Sequence, residues 1–154
     1  TDVDGSETER FYTLSGLIQK ESFLLYSGLE KETFYNSKGN KERSIFSYED
    51  GRKSKKDWIY NSDGDLEKEI FIETDGTKRE IVYNFEGKNK KVLYTYPNGY
   101  KIELLYNSEG QKYKMAFIFL DSLIREWEAV YDEVGNREQV VFTNSDGIKR
   151  VWKK

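Results

Sequence analysis

Cysteine and histidine are both absent from the 154 residues. Without cysteine there are no disulfides and no thiolate metal sites. Without histidine there is no imidazole acid–base catalysis and no Ser–His or Cys–His nucleophile. Proline and methionine each occur once, and no apolar run approaches the roughly 20 residues that span a bilayer as a helix. The chain starts at Thr1 with no Met and no signal-like segment, so it reads as soluble and trimmed, without membrane insertion. A one-sided charge is missing too. The net charge is −3, and the acidic excess lies in the first ten residues, where Asp2, Asp4, Glu7 and Glu9 face only Arg10. The balanced remainder speaks against nucleic acid or an anionic membrane as partner, because both call for a basic field.

Aromatics are plentiful, at 16% of the chain with 12 Tyr, 9 Phe and 3 Trp. Hydrophobic residues reach 36% against 34% charged, thin for a two-layer core. Rings and β-branched residues fit a pleated, half-exposed surface, so strand is the expected element throughout.

A fixed period organises the chain. Tyr12, Tyr35, Tyr60, Tyr83, Tyr106 and Tyr131 each stand four residues before a glycine (Gly16, Gly39, Gly64, Gly87, Gly110 and Gly135), giving repeats of 23 or 25 residues. Twelve residues after each glycine comes a second turn signal: Ser27-Gly28, Asp50-Gly51, Asp75-Gly76, Asn98-Gly99, Asp121-Ser122 and Asp146-Gly147. Asp-Gly and Asn-Gly between apolar runs indicate two-residue type I′ hairpin turns. The Tyr-Asn-x-x-Gly segments indicate longer loops closed by a left-handed glycine. Ser122 lacks that freedom, so the fifth turn is expected to be distorted. A length difference of two keeps every side chain on its face, which suits a sheet. The expectation is an all-β chain: a single elongated, twisted antiparallel sheet of twelve strands built from six tandem β-hairpin repeats. An acidic flexible arm occupies 1–11 and the repeats 12–34, 35–59, 60–82, 83–105, 106–130 and 131–154.

Seven residues after each first glycine stands an aromatic: Phe23, Phe46, Phe71, Tyr94, Phe117 or Phe142. Two-residue turns would place this ladder on one face with Phe34, Ile59, Val82, Leu105 and Val130, flanked by Glu32, Lys55, Glu80, Glu103 and Glu126. The opposite face would then hold Ile45, Ile70, Leu93, Ala116 and Val141 with Ile81, Leu104, Trp127 and Trp152, and with Arg79, Arg125 and Arg150.

Tyr131-Asp132-Glu133-Val134-Gly135-Asn136-Arg137 followed by Ser145-Asp146-Gly147 resembles the YD repeat of Rhs and teneurin-type shells. Tyr94-Thr95-Tyr96-Pro97-Asn98-Gly99-Tyr100 and the 23-residue period are similar to MORN-type repeats. Both resemblances imply tandem hairpins used as scaffolds or interaction surfaces, with no catalytic residues or cofactors.

The six ladder aromatics are the candidate binding residues, as a stacking surface for a sugar or a protein. No catalytic, cofactor or metal residue is assigned. Asp2-Val3-Asp4-Gly5-Ser6-Glu7 has the oxygen-rich character of a calcium loop but lacks its distal bidentate Glu. Lys53-Ser54-Lys55-Lys56 and Lys88-Asn89-Lys90-Lys91 interleave with aromatics as single-strand binders do, yet balanced acids make them a solvated face. Reuse of one unit with no singular site points to a non-enzymatic structural or protein-interaction module, a bacterial surface or secreted scaffold able to self-associate through its edge strands. A carbohydrate or cell-wall binding module and an immunity or antitoxin-type protein are the alternatives.

Overall fold

The computed structural model describes residues 6–153 except 26, 120–121 and 133–134. It is all-β: thirteen antiparallel strands form one open sheet whose spatial order is the chain order. The strands are β1 (Glu7–Tyr12), β2 (Ile18–Leu24), β3 (Glu30–Tyr35), β4 (Lys41–Ser47), β5 (Lys53–Tyr60), β6 (Leu66–Ile72) and β7 (Lys78–Tyr83). They continue as β8 (Asn89–Thr95), β9 (Tyr100–Tyr106), β10 (Lys112–Phe119), β11 (Ser122–Tyr131), β12 (Arg137–Asn144) and β13 (Lys149–Lys153). The expected count was twelve. The additional strand is β1, which pairs with β2 from Glu7↔Leu24 to Phe11↔Lys20. Residues 7–11 are therefore sheet and not a flexible arm, because Phe11, Tyr12 and the Arg10–Glu21 ion pair at 2.8 Å tie them to β2. Residues 1–5, including most of the calcium-like stretch, lie outside the described residues.

Each strand packs only on its neighbours in sequence, so the molecule is a single layer. Its accessible surface is 10490 Å², against about 8,100 Å² for a compact protein of this mass. At the strand spacing of an antiparallel sheet it extends roughly 60 Å. Among the described residues the buried apolar side chains are Val92, Ala116 and Ala129, all small. Thr33 and Ser44 are buried opposite one another and share a hydroxyl hydrogen bond of 2.8 Å.

All described hairpin turns share one geometry. At the third repeat Gly76 N–H donates to Glu73 C=O at 3.0 Å, and Glu73 N–H donates to Thr77 C=O at 2.8 Å. The same pair of bonds closes the loops at Gly16, Gly28, Gly39 and the later turn glycines. This is a type I turn followed by a left-handed glycine, a three-residue loop. The expected two-residue type I′ turn is thus corrected to three residues. The sequence reason is visible in the side chains that brace the loop. Asp75 Oδ1 accepts from Thr77 N–H at 2.7 Å. In the Tyr-Asn-x-x-Gly turns, Asn61 Oδ1 accepts from Asp63 and Asp65 N–H at 3.0 and 2.8 Å.

What distinguishes the two turns of a repeat is a bulge. Beside every first turn the pairing slips by one residue: Phe34 faces Arg43 but Tyr35 faces Lys41, leaving Glu42 extra. The same slip leaves Gln19, Glu67, Lys90, Tyr113 and Glu138 unpaired in the other repeats. Five second turns carry no slip. An odd period of 23 or 25 residues needs this extra residue, since without it each aromatic would change faces from one hairpin to the next. The fifth second turn does depart from the others. Phe119 faces Ser122, so Ser122 is already strand, and a further slip separates Phe117↔Arg125 from Ile118↔Leu123. Asp121 lies outside the described residues.

Two predictions follow from this geometry. Gly76 has φ +85°, and a Cβ there would meet Pro97 Cγ at an ordinary 3.5 Å; at Gly51, φ +81°, nothing lies within 4 Å. Gly76→Val and Gly51→Val should therefore both cost at least about 1–2 kcal/mol from backbone strain alone. In thermal melts that is a Tm lower by about 3–8 °C; an unchanged melt in either variant contradicts the turn assignment. Deleting Glu67 alone should abolish cooperative unfolding or lower Tm far more than deleting Trp58 and Ile59 together, because only the single deletion inverts the faces downstream. Equal melts for the two deletions would exclude a face-setting role for the bulge.

Candidate binding face

The six ladder aromatics do share one face. Pairing runs Phe23↔Lys31↔Phe46↔Ser54, and from β5 onward Lys56↔Phe71↔Arg79↔Tyr94↔Ile102↔Phe117↔Arg125. Phe142 joins through Trp127, which faces it from the strand carrying Arg125. The residues between the rings are not those expected. Phe34, Ile59, Val82, Leu105 and Val130 lie on the opposite face, together with Glu32, Lys55, Glu80, Glu103 and Glu126. Ile81, Leu104, Trp127, Trp152, Arg79, Arg125 and Arg150 accompany the ladder instead. The third residue in the second turn causes the exchange: it shifts each return strand by one position and swaps its two sets of side chains.

Cations therefore stand beside rings at several steps of the ladder, with Ser54 and Ile102 in the row at the others. Arg79 lies over the Phe71 ring at 5.6 Å, Arg125 over Phe117 at 4.5 Å, and Lys31 over Phe46 at 5.6 Å. Direct ring contacts are fewer than a continuous ladder implies. Phe46 and Phe71 meet edge to face at 6.5 Å, and Tyr100 lies 6.3 Å from Phe117. Among the described residues, Arg79 Nε is a buried polar side-chain atom with no hydrogen-bond partner.

The opposite face is a ladder of ion pairs, a feature the sequence reading missed. Four residues after each of the first five first-turn glycines stands a cation. Each reaches an acid on the next strand: Lys20–Glu32, Arg43–Asp57 at 2.7 Å, Lys68–Glu80 at 2.5 Å, Lys91–Glu103 and Lys114–Glu126 at 2.7 Å. The sixth position is Gln139. Burial pushes the Asp57 carboxyl up, but the hydrogen bonds of Arg43 and Lys55 outweigh it and hold the group below its ordinary value. Glu80 is likewise raised by burial and lowered further by Lys68 and Lys78. The two lysine runs are largely absorbed in such pairs, as Lys55 with Asp57, Lys56 with Glu69, Lys88 with Glu86 and Lys91 with Glu103.

The repeat tyrosines brace adjacent strands in two ways. After the shorter returns Tyr35 donates to Glu21 Oε2 at 3.2 Å, and Tyr83 bonds Glu69. After the longer ones Tyr60 and Tyr131 donate to the carbonyls of Lys41 and Lys112 at 3.0 and 2.8 Å. Burial first, and Glu69 second, push the Tyr83 hydroxyl up to about 12.

Surface depressions are open and follow the turn edges and outer strands, as in the one lined by Asp132, Asn136, Arg137, Glu138, Gln139 and Lys153. Among the described residues no group of three acids could hold a metal ion. No protein-family model matches the chain, and no curated protein matches it in sequence.

The titrations predict the pH limits of folding. Asp57 and Glu80 have depressed folded values, so their contribution is present above the ordinary carboxylate range and is lost as pH falls through and below it. Tyr83 has a raised value, so its contribution is present below about 10 and is lost as pH rises from there toward about 12. Urea melts against pH should show Glu80→Gln flattening the acid limb and Tyr83→Phe flattening the alkaline limb. Unaltered limbs in both variants would remove these groups from the pH dependence.

Proposed function

We propose that the chain is a non-catalytic repeat module that presents a long, regular surface to a protein partner or to further copies of itself. The observation that carries this reading is the reuse of one hairpin unit as a single layer with both faces open. Catalysis requires one asymmetric constellation screened from water, whereas a repeated unit supplies the same few groups at each step. The resemblance to YD and MORN-type repeats supports the same reading, with an extracellular or bacterial cell-surface scaffold as its setting.

Self-association would proceed through the outermost strands. β1 and β13 each pair on one side within the described residues, and they leave Phe11, Tyr12, Val151 and Trp152 exposed. A strand edge of this kind templates pairing with another chain. Sedimentation over a hundredfold concentration range should show concentration-dependent association, and Val151→Lys with Trp152→Lys should weaken it at least fivefold. A strictly monomeric chain at low and high salt would rule out self-association. Reproducible glycoside or ester hydrolysis, lost on changing a single carboxylate, would overturn the non-catalytic reading.

A further inference from the structure

We propose that the ladder face carries a binding track for an acidic polysaccharide, running across the strands from Arg79 to Arg125. The inference rests on reading the chain as a binding module and names the ligand chemistry for one of its faces. Its basis is a contrast between the two faces. On the ion-pair face the cations of five repeats meet a carboxylate. On the ladder face Arg79 and Arg125 are held by rings, and among the described residues neither has an ion-pair partner. Arg79 Nε is buried without a hydrogen-bond partner.

A guanidinium laid over a ring keeps its charge and its planar fork, and the fork matches a carboxylate or sulfate with two parallel hydrogen bonds. Phe71 and Phe117 thus pre-orient two oxyanion sites without neutralising them. Glu69, the acid two residues before Phe71 on this face, is already engaged, bound by Lys56 at 2.9 Å and by Tyr83. Glu42, Glu67 and Glu138 sit at the first-turn edge, away from the row that contains the arginines.

The spacing selects the ligand. Arg79 and Arg125 occupy the same row on β7 and β11, four strand intervals apart, or about 19 Å. One hairpin advances about 9.6 Å, comparable with a disaccharide, so the two forks match acids two disaccharides apart. Between them Tyr94, Ile102 and Tyr100 form a half-buried apolar stretch on which the C–H face of a sugar ring can stack. A nucleic-acid duplex strand carries a charge about every 3.4 Å, far denser than the track. An extended acidic peptide binds a sheet through free backbone groups at an edge, and on this face those groups are already spent in the strand pairing.

The test uses the full chain with hyaluronan oligosaccharides, which carry one carboxylate per disaccharide. Uncharged dextran and oligothymidylate are the comparison ligands, each titrated by calorimetry at low salt. Hyaluronan should bind with Kd below about 1 mM, and added salt should weaken it. R79Q with R125Q should weaken binding at least tenfold, and R79K with R125K severalfold because the charge stays and the fork is lost. Lys68→Gln, on the opposite face, should leave binding unchanged. Circular dichroism should show the same strand content in all variants. Absence of hyaluronan binding, equal affinity for dextran, tighter binding of oligothymidylate, or full affinity in the folded double variants would each overturn the track. None of these results bears on self-association, which sedimentation reads separately.

Discussion

One extra residue beside each first turn is the constraint on which the sheet depends. A three-residue loop at both ends of a repeat would give adjacent hairpins inverted faces, because side chains alternate with a period of two. The bulges at Gln19, Glu42, Glu67, Lys90, Tyr113 and Glu138 correct this at every step. Only with that correction do Phe23, Phe46 and Phe71 meet the same surface. The longer return through β5 adds two residues and needs no correction, whereas β11 carries a further slip where Phe117↔Arg125 passes to Ile118↔Leu123. Bulges also increase local twist, which favours an open, twisted strip.

A single layer has little apolar burial to draw on, and its stability has to come from cross-strand pairs. Such pairs contribute roughly 0.2–1 kcal/mol each, and exposed ion pairs typically less than about 1 kcal/mol. The sheet compensates by repetition: the cation–acid pair recurs in five repeats and the same braced loop from hairpin to hairpin. Since contacts stay between neighbouring strands, stability is approximately a sum of local terms and interfaces. Damage at one glycine should therefore remain local, whereas a register error propagates.

Much of this was legible in the sequence. The Tyr-to-Gly spacing gave the repeat, and the glycines marked the turns, because positive φ is costly for any residue with a Cβ. Loop size was not legible. Asp75-Gly76 satisfies the signature of a two-residue turn, and only the hydrogen bond from Glu73 to Thr77 shows a third residue in the loop. That single residue decided whether Glu80 or Arg79 stood beside Phe71. The face assignment of the return strands failed for this reason while that of the outgoing strands held. The ion-pair ladder was present as spacing: Lys20 and Glu32, Lys68 and Glu80, Lys91 and Glu103 are each twelve residues apart. Their pairing becomes apparent only once the register places them diagonally on one surface.

The two faces consequently differ in kind although they derive from the same repeat. On one, the cations of five repeats are each answered by a carboxylate on the next strand, so their field cancels over a few ångströms. On the other, the rings occupy the sites where acids would have to stand, and a quadrupole attracts a cation without cancelling its charge. The repeat does not apply this arrangement uniformly. Ser54 and Ile102 replace the cation in the second and fourth hairpins, and the longer return supplies Lys56 in the row instead, where Glu69 neutralises it. Arg79 and Arg125 stand on either side of a neutral aromatic stretch, while Lys31, over Phe46, lies four strands before Arg79. A uniform ladder would bind a polymer in many equivalent registers; two forks with an apolar stretch between them favour one.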